Sequence, residues 1–285
     1  MLIATSPALC KDRCQEAEII PRLAKAGFQA LDFNFCDMVD LPVWQNPAAA
    51  AAAVEALAAV AAENRLPWVQ AHGPMANPFS DLPREQFKRT LIQPCLAACG
   101  RLGVPWMVMH CGSIEGAFDR DHRRLMLQSN AEFFRGYLPL CEKYRVGLAL
   151  ENGCDKRGRG RSFAVVPEDL ADLVDAINHP LAGICWDTGH AHLQGMDQRT
   201  ALASLGPRLK CLHVADNDGG SDLHLLPFAA GRAGVDWAAV AAGLRQAGYR
   251  GHWAYEAHNS FRALPEPVLD EALAFSVHLA RAVVG

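Results

Sequence analysis

Short apolar runs alternate with longer amphipathic stretches along the whole chain. The runs cover residues 2–5, 30–35, 68–72, 106–110, 146–151, 181–187, 209–214 and 251–256, and each gives way to glycine, proline or polar residues, as buried strands do. Helical spacing of apolar residues marks 11–26, 47–64, 84–102, 119–144, 167–177, 197–205, 235–247 and 266–283. Strands that strictly alternate with helices pair in parallel. Eight such units therefore predict an α/β fold, a (β/α)8 TIM barrel that residues 1–285 form as a single domain.

An open, doubly wound sheet is the structural alternative for the same alternation of strands and helices. That fold would call for a glycine-rich phosphate-binding turn after an early strand. The early strands of this chain are not followed by such a turn. The pattern therefore favours the barrel.

The last six predicted strands each end in a side chain that can bind a metal. These residues are His72, His110, Glu151, Asp187, His213 and Glu256. In a barrel, the carboxyl ends of the strands converge on one mouth. The packing of a barrel does not require polar side chains at these positions. Bringing several carboxylates together without a cation costs free energy. The sequence thus predicts a divalent metal, and oxygen plus imidazole donors indicate Mn, Co, Mg or Zn.

Three further donors lie close to this set in the sequence. His190 follows Asp187 by three residues, on the loop predicted after that strand, where it either orients a substrate or binds metal. Asp222 and His224 lie in a glycine- and aspartate-rich loop, where they either bind metal or cap a turn. Together with His72 and His110, these residues are the candidates for a second metal site or for substrate binding.

Several motifs resemble one known family along essentially the whole chain. They are Ala-Leu-Glu-Asn at 149–152, Trp-Asp-Thr-Gly-His at 186–190, Leu-His-Val-Ala-Asp-Asn-Asp-Gly at 212–219, Asp-Leu-His at 222–224 and Tyr-Glu at 255–256. This order is similar to that of the sugar phosphate isomerases/epimerases of the xylose-isomerase-like TIM barrel superfamily, which also includes the apurinic-site endonucleases. The resemblance implies that Glu151, Asp187, His213 and Glu256 hold one catalytic metal. It also implies that Glu151 and Glu256 form the acid/base pair of an isomerase or epimerase that acts on a sugar or sugar phosphate through an enediolate.

The sequence departs from one branch of that superfamily. The ketohexose epimerases carry a second glutamate six residues after the first ligand and an arginine six residues after the histidine ligand. Arg157 and Gly219 occupy those positions here, which argues against 3-epimerisation of a free ketohexose.

The endonuclease branch supplies the main functional alternative, a phosphodiester hydrolase with a di- or trinuclear zinc site. Its additional ligands match His72, His110, His190, Asp222 and His224. The net charge of −4 and the absence of an aromatic wedge at 72–77 argue against a protein that opens a DNA duplex. A non-catalytic carbohydrate-binding barrel is a third interpretation, but it has little need for two opposed carboxylates at a metal.

The basic residues and the cysteines of the chain bear on its ligands and its cellular compartment. In the basic stretch 156–161, Arg157 and Arg159 indicate either a phosphate clamp or a solvated loop. No apolar run reaches the ~20 residues that span a bilayer, and the ten cysteines follow no secretory leader. We therefore expect a reduced cytoplasmic enzyme with a small carbohydrate substrate and without nucleic-acid or membrane partners. A homo-oligomer is implied by the resemblance alone.

Overall fold

A computed structural model describes residues 1–36, 42–79, 83, 86, 88–155, 161–262 and 264–285. Its strands are β1 (Ile3–Thr5), β2 (Ala30–Asn34), β3 (Trp68–His72), β4 (Trp106–His110), β5 (Gly147–Glu151), β6 (Ala182–Asp187), β7 (Leu209–His213) and β8 (Trp253–Tyr255). Each lies within one or two residues of a predicted apolar run. Because β8 ends at Tyr255, Glu256 is the first residue after its strand.

The α-helices of the described residues lie between and after these strands. They are α1 (Glu16–Ala26), α2 (Pro47–Glu63), α3 (Gln93–Leu102), α4 (Arg120–Arg135), α5 (Leu138–Tyr144), α6 (Pro167–Ile177), α7 (Thr188–Leu193), α8 (Gln198–Leu205), α9 (Trp237–Ala247), α10 (Asn259–Arg262) and α11 (Leu269–Val284). No helix among the described residues is long and apolar enough to cross a membrane.

The eight strands form one parallel sheet that closes on itself. Their order is β7-β6-β5-β4-β3-β2-β1-β8. The remaining seam, between β7 and β8, closes through Val214, whose N–H donates to Ala254 at 2.8 Å and whose carbonyl accepts from Glu256 at 3.0 Å. The predicted (β/α)8 barrel is confirmed.

The alternation of side chains along each strand separates two layers. Leu148, Leu150 and Trp186 belong to the large core between the sheet and the helices. A separate small cluster contains Val108, Ala149, Cys185 and Cys211, one residue from each of β4 to β7. Since side chains two residues apart share a face, the residues that end these strands lie on the same face as this small cluster. The apolar pattern thus aims His110, Glu151, Asp187 and His213 into the barrel mouth.

Three helix predictions need correction. The predicted helix 119–144 is two helices, because the chain turns after α4 and Pro139 then occupies the first turn of α5. The helix predicted to begin at residue 11 begins at Glu16, after a 3-10 turn at Pro7–Cys10. The helix predicted over 84–102 has a π-helical turn at Lys88–Ile92, and Pro94 lies in the first turn of α3.

Candidate metal centre

Four of the predicted donors converge at the barrel mouth. Glu151, Asp187 and His213 end β5, β6 and β7, and Glu256 directly follows β8. Each offers one ligand atom, and these four atoms lie within 4.8 Å of one another. The side chains of Glu151 and Asp187 are 0% exposed, whereas that of Glu256 is 22% exposed. We call these four residues the inner centre.

The contacts of the inner centre leave it short of positive charge. His213 Nδ1 lies 2.7 Å from Glu151 Oε1 and 3.2 Å from Glu256 Oε2, so a single imidazole faces both glutamates. Asp187 Oδ1 accepts from the N–H of His190 at 2.6 Å, but its buried Oδ2 has no hydrogen-bond partner among the described residues. A buried acceptor without a partner is costly and fits a missing cation.

The pKa values at this site reflect the same shortage. Burial raises the pKa of Glu256 to about 7 and also raises that of Asp187. Burial acts in the same sense on Glu151, but His213 and His110 outweigh it and lower the pKa of that carboxyl well below its usual value. Carboxylates packed this closely hold their negative charge only with a cation nearby. Oxygen and imidazole donors in this number fit a divalent metal ion.

A second group, the histidine pair His72 and His110, shares Glu151 with the inner centre. The Nδ1–H of His72 donates to the carbonyl of Gly73 at 2.9 Å, which turns the other ring nitrogen, Nε2, toward the mouth. That Nε2 lies 3.4 Å from His110 Nε2, and the two lie 3.7 and 3.1 Å from Glu151 Oε2. Because burial lowers the pKa of His72 to about 4, its ring is neutral and can act as a ligand.

The third group, which we call the outer centre, contains His190, Asp222 and His224. Both histidines donate through Nδ1 to backbone carbonyls, His190 to Asn152 at 2.8 Å and His224 to Glu256 at 3.0 Å. Their Nε2 atoms then lie 3.2 and 3.0 Å from the same oxygen, Asp222 Oδ2. This geometry requires something positive between the two rings and the carboxylate, either protons or a metal ion.

Protons on the two histidines are one way to balance the charge of Asp222 in the outer centre. Burial opposes the charge of His224, but the hydrogen bond to Asp222 and the charge of Glu256 outweigh it and raise its pKa to about 9. Burial also opposes the charge of His190, whose pKa is nevertheless raised well above its usual value by Asp187 and then by Asp222. The thiol of Cys154 lies close enough to His190 and Asp222 to share a metal with them.

Local sequence explains how the inner and outer centres interlock. Asn152 accepts from the N–H of Asp187 at 2.6 Å and donates to its carbonyl at 3.0 Å, which locks the ends of β5 and β6 together. Asp187 in turn caps α7 by accepting from the N–H of His190. The prediction that His190 lies on a loop is therefore wrong: this residue lies in the first turn of the short helix α7.

Two polar residues near these donors were not predicted from the sequence. Asp32 is 4% exposed in β2, its Oδ2 lies 3.7 Å from His213 Nε2, and it accepts from Gln70 at 2.8 Å. Cys36 Sγ lies 3.0 Å from His72 Nδ1. The sequence feature that could have identified Asp32 is its position between the apolar residues Leu31 and Phe33. The predicted phosphate-binding residues Arg157 and Arg159 lie outside the described residues.

An open cleft of about 300 Å³ leads to the inner centre. Its walls come from the segments that follow β1, β2 and β8, and its inner end is lined by His72, His213 and Glu256. Glu151 and Asp187 do not line this cleft. The volume is at the small end of the range of ligand pockets, which suits a small molecule.

Comparisons with known proteins place these observations in a family. The model of the xylose isomerase-like TIM barrel family matches residues 20–277, which confirms the resemblance inferred from the motifs. An uncharacterized protein of Methanocaldococcus jannaschii is 27% identical over 183 residues, which is 61% of this chain and 60% of that protein. A probable endonuclease 4 of Methanoculleus marisnigri is 32% identical over 137 residues, or 44% of this chain and 46% of that protein. The chain thus spans about half the length of these curated relatives.

Solved structures match over nearly the full length. D-psicose 3-epimerase from Clostridium cellulolyticum H10 superposes with a TM-score of 0.76 at 18% identity and covers 100% of this chain and 99% of that one. A 3-keto-D-glucoside 4-epimerase from E. coli superposes with a TM-score of 0.74 at 17% identity and covers 99% of each chain. At such identities, the likeness shows a shared fold.

Proposed function

We propose, from the premise that this chain belongs to the xylose isomerase-like TIM barrel family, that it is a divalent-metal-dependent isomerase or epimerase of a sugar or sugar phosphate. One observation carries the proposal: His213 holds two glutamates, and one of them, Glu256, faces a small-molecule cleft. A carboxylate that can reach a bound sugar can move a proton to or from its carbon.

The four residues of the inner centre would hold the metal. A divalent cation there supplies positive charge beside a carbonyl and the adjacent hydroxyl, which acidifies the neighbouring carbon and favours an enediolate. Manganese, cobalt, magnesium and zinc all accept this donor set.

The two glutamates differ in their access to substrate. Glu256 lines the cleft and is 22% exposed, whereas Glu151 is fully buried behind it. A carboxylate at the wall of the cleft can accept a proton from a bound substrate and return it. We assign proton transfer at the carbon to Glu256. Glu151 holds His213 in place. Glu151 is also the second carboxylate of the acid/base pair, for substrates that extend far enough into the site to contact it.

The structural neighbours support this choice among enzyme classes. The two solved structures described above are named as epimerases of a ketohexose and of a ketoglucoside. Both names denote inversion at a carbon whose proton an adjacent carbonyl can acidify, which matches a base placed at the wall of a small cleft.

The test is solvent exchange at carbon. Incubation of the Mn²⁺-loaded protein with ketoses, aldoses and their phosphates in D2O should place deuterium at one carbon of a turned-over substrate. The Glu256→Gln variant should lower the rate by about 10²- to 10⁴-fold, whereas the exposed control Glu271→Gln should not. Turnover without deuterium incorporation would rule out the enediolate route.

A second candidate, a zinc-dependent phosphodiester hydrolase, is favoured by one specific observation. The histidine pair and the outer centre both present Nε2 atoms that face carboxylates, as ligands of additional metal ions would. Nicking of an abasic DNA duplex by the zinc-loaded protein, together with about three zinc ions per chain, would favour the hydrolase over the isomerase.

A further inference from the structure

Two groups of side chains line the cleft that leads to the inner centre. One group contains the candidate metal ligands His72, His213 and Glu256. The other contains the cations Lys11 and Arg262 together with the imidazole of His258. Lys11 lies in the segment after β1, and His258 and Arg262 lie in the segment after β8. The cleft therefore offers separate surfaces to two chemically different parts of one ligand.

The two segments that carry these cations are tied together. Arg13 donates through Nη2 to the carbonyl of Phe261 at 2.5 Å and to the carbonyl of Arg262. This arginine thus joins the segment after β1 to α10 and fixes the backbones beneath Lys11 and Arg262. The backbones that carry the two cations are therefore held together before a ligand binds.

The guanidinium of Arg262 remains available to an anion. Its Nε lies 3.5 Å from Asp12 Oδ2, and the two side chains are 36% and 64% exposed. An ion pair this exposed to solvent is weak. Its Nη1 also donates to Asn259 at 3.3 Å, which orients the group without neutralising it.

His258 links the cationic part of the wall to the outer centre. It stacks on His224, with ring centroids 4.7 Å apart. It also lines the cleft together with Lys11 and Arg262. The two cations therefore share one cleft wall with a residue that contacts the barrel-mouth donors.

We propose that Lys11 and Arg262 form an anion subsite that binds a phosphate or carboxylate group of the substrate, while the carbonyl end of the same molecule meets the inner centre. The inference deepens the proposed function and rests on it: the substrate is an acidic sugar, either a sugar phosphate or a sugar acid. Arginine suits this task because its planar fork binds either anion through two hydrogen bonds.

The subsite is tested by binding rather than by turnover. Titration calorimetry on the full-length, Mn²⁺-loaded protein would compare D-fructose, D-fructose 6-phosphate and D-glucuronate. At least one acidic sugar should bind about tenfold more tightly than D-fructose, since a charge-assisted hydrogen bond stabilises by about one factor of ten. The acidic sugar that binds more tightly identifies the anion as phosphate or carboxylate.

The variants decide where the anion binds, since phosphate can also bind a metal. Lys11→Ala and Arg262→Ala should each remove about tenfold in affinity for the acidic sugar. Affinity for D-fructose should stay within about twofold in both variants, as should all affinities in the exposed controls Lys25→Ala and Arg245→Ala. Thermal melting of each variant would verify its fold.

Two results would overturn the subsite. One result is that no acidic sugar binds more tightly than D-fructose. The other is that the preference for an acidic sugar persists in the double variant Lys11→Ala/Arg262→Ala. Deuterium exchange separates this failure from failure of the proposed function. Exchange into a neutral sugar without an acidic preference contradicts the subsite alone, whereas an acidic preference without exchange on any sugar contradicts the isomerase alone.

Discussion

The inner and outer centres lie side by side at the barrel mouth but differ in their balance of carboxylates and imidazoles. The inner centre has three carboxylates and one imidazole, all positioned by strand ends, and Glu151, Asp187 and His213 are at most 1% exposed. The outer centre has two imidazoles and one carboxylate, and the exposed fractions of His190, Asp222 and His224 are 9%, 31% and 17%.

This difference indicates which centre we expect to bind a metal first. Two protonated histidines can neutralise Asp222 from within the outer centre, and the neighbouring carboxylates raise the pKa of both His190 and His224. The inner centre has only His213 against three carboxylates, and Asp187 Oδ2 is left without a partner among the described residues. A tightly held cation is therefore expected in the inner centre first.

The largest effect should come from removing one charge of the inner centre. Asp187→Asn keeps an oxygen that can cap α7, so the fold should persist. Retained Mn²⁺ should fall below the detection limit of elemental analysis, and turnover should fall by about 10³-fold or more, because a metal ligand has been lost.

Asp197→Asn is the matched control, since Asp197 caps α8 in the same way but is exposed to solvent. Full metal retention in Asp187→Asn would remove this residue from the metal site. A similar loss in Asp197→Asn would show that capping, rather than ligation, explains the effect.

A smaller effect should follow from Asp32, which lies next to the inner centre. Its carboxylate is 3.7 Å from His213 Nε2, which is beyond hydrogen-bond distance but places a negative charge behind that ring. Asp32→Asn should weaken Mn²⁺ binding by about 10- to 100-fold, as loss of an outer-shell partner does. Calorimetric titration of the apo protein would measure this, with the exposed Asp121→Asn as control. An unchanged Mn²⁺ affinity would show that Asp32 contributes to packing and not to metal binding.

Changes in the outer centre should separate substrate binding from metal binding. His224→Gln and His190→Gln should lower kcat/KM by about tenfold through lost contacts to substrate, while tightly bound metal stays unchanged. Steady-state kinetics and elemental analysis of the same preparations would test both parts. If each variant loses one metal ion per chain, the outer centre holds metal and the hydrolase becomes the better proposal.

The smallest effect is expected at Cys154. If protons occupy the outer centre, Cys154→Ser should leave kcat/KM and metal content within about twofold. A marked drop in zinc content would instead show that the thiol ligates a metal next to His190 and Asp222.

Strand-based features were predictable from the sequence, and those that depend on loop packing were not. Glu151, Asp187 and His213 follow apolar runs whose two-residue alternation fixes their direction, so their convergence followed from the barrel. The shared contact of His190 and His224 with Asp222 depends on how a loop folds back over the mouth, which local patterns do not encode. Asp32 was not predictable from its own strand, because its role depends on β7, which is not a neighbour of β2 in the sheet.

Metal content per chain tests the central claim most directly. The protein is loaded with Mn²⁺ or Zn²⁺, dialysed and measured by elemental analysis alongside Asp187→Asn and the paired variant His190→Gln/His224→Gln. We predict about one retained ion per chain in the wild type and in the paired variant, and none in Asp187→Asn. The account would be contradicted if the metal were lost in the paired variant His190→Gln/His224→Gln but retained in Asp187→Asn.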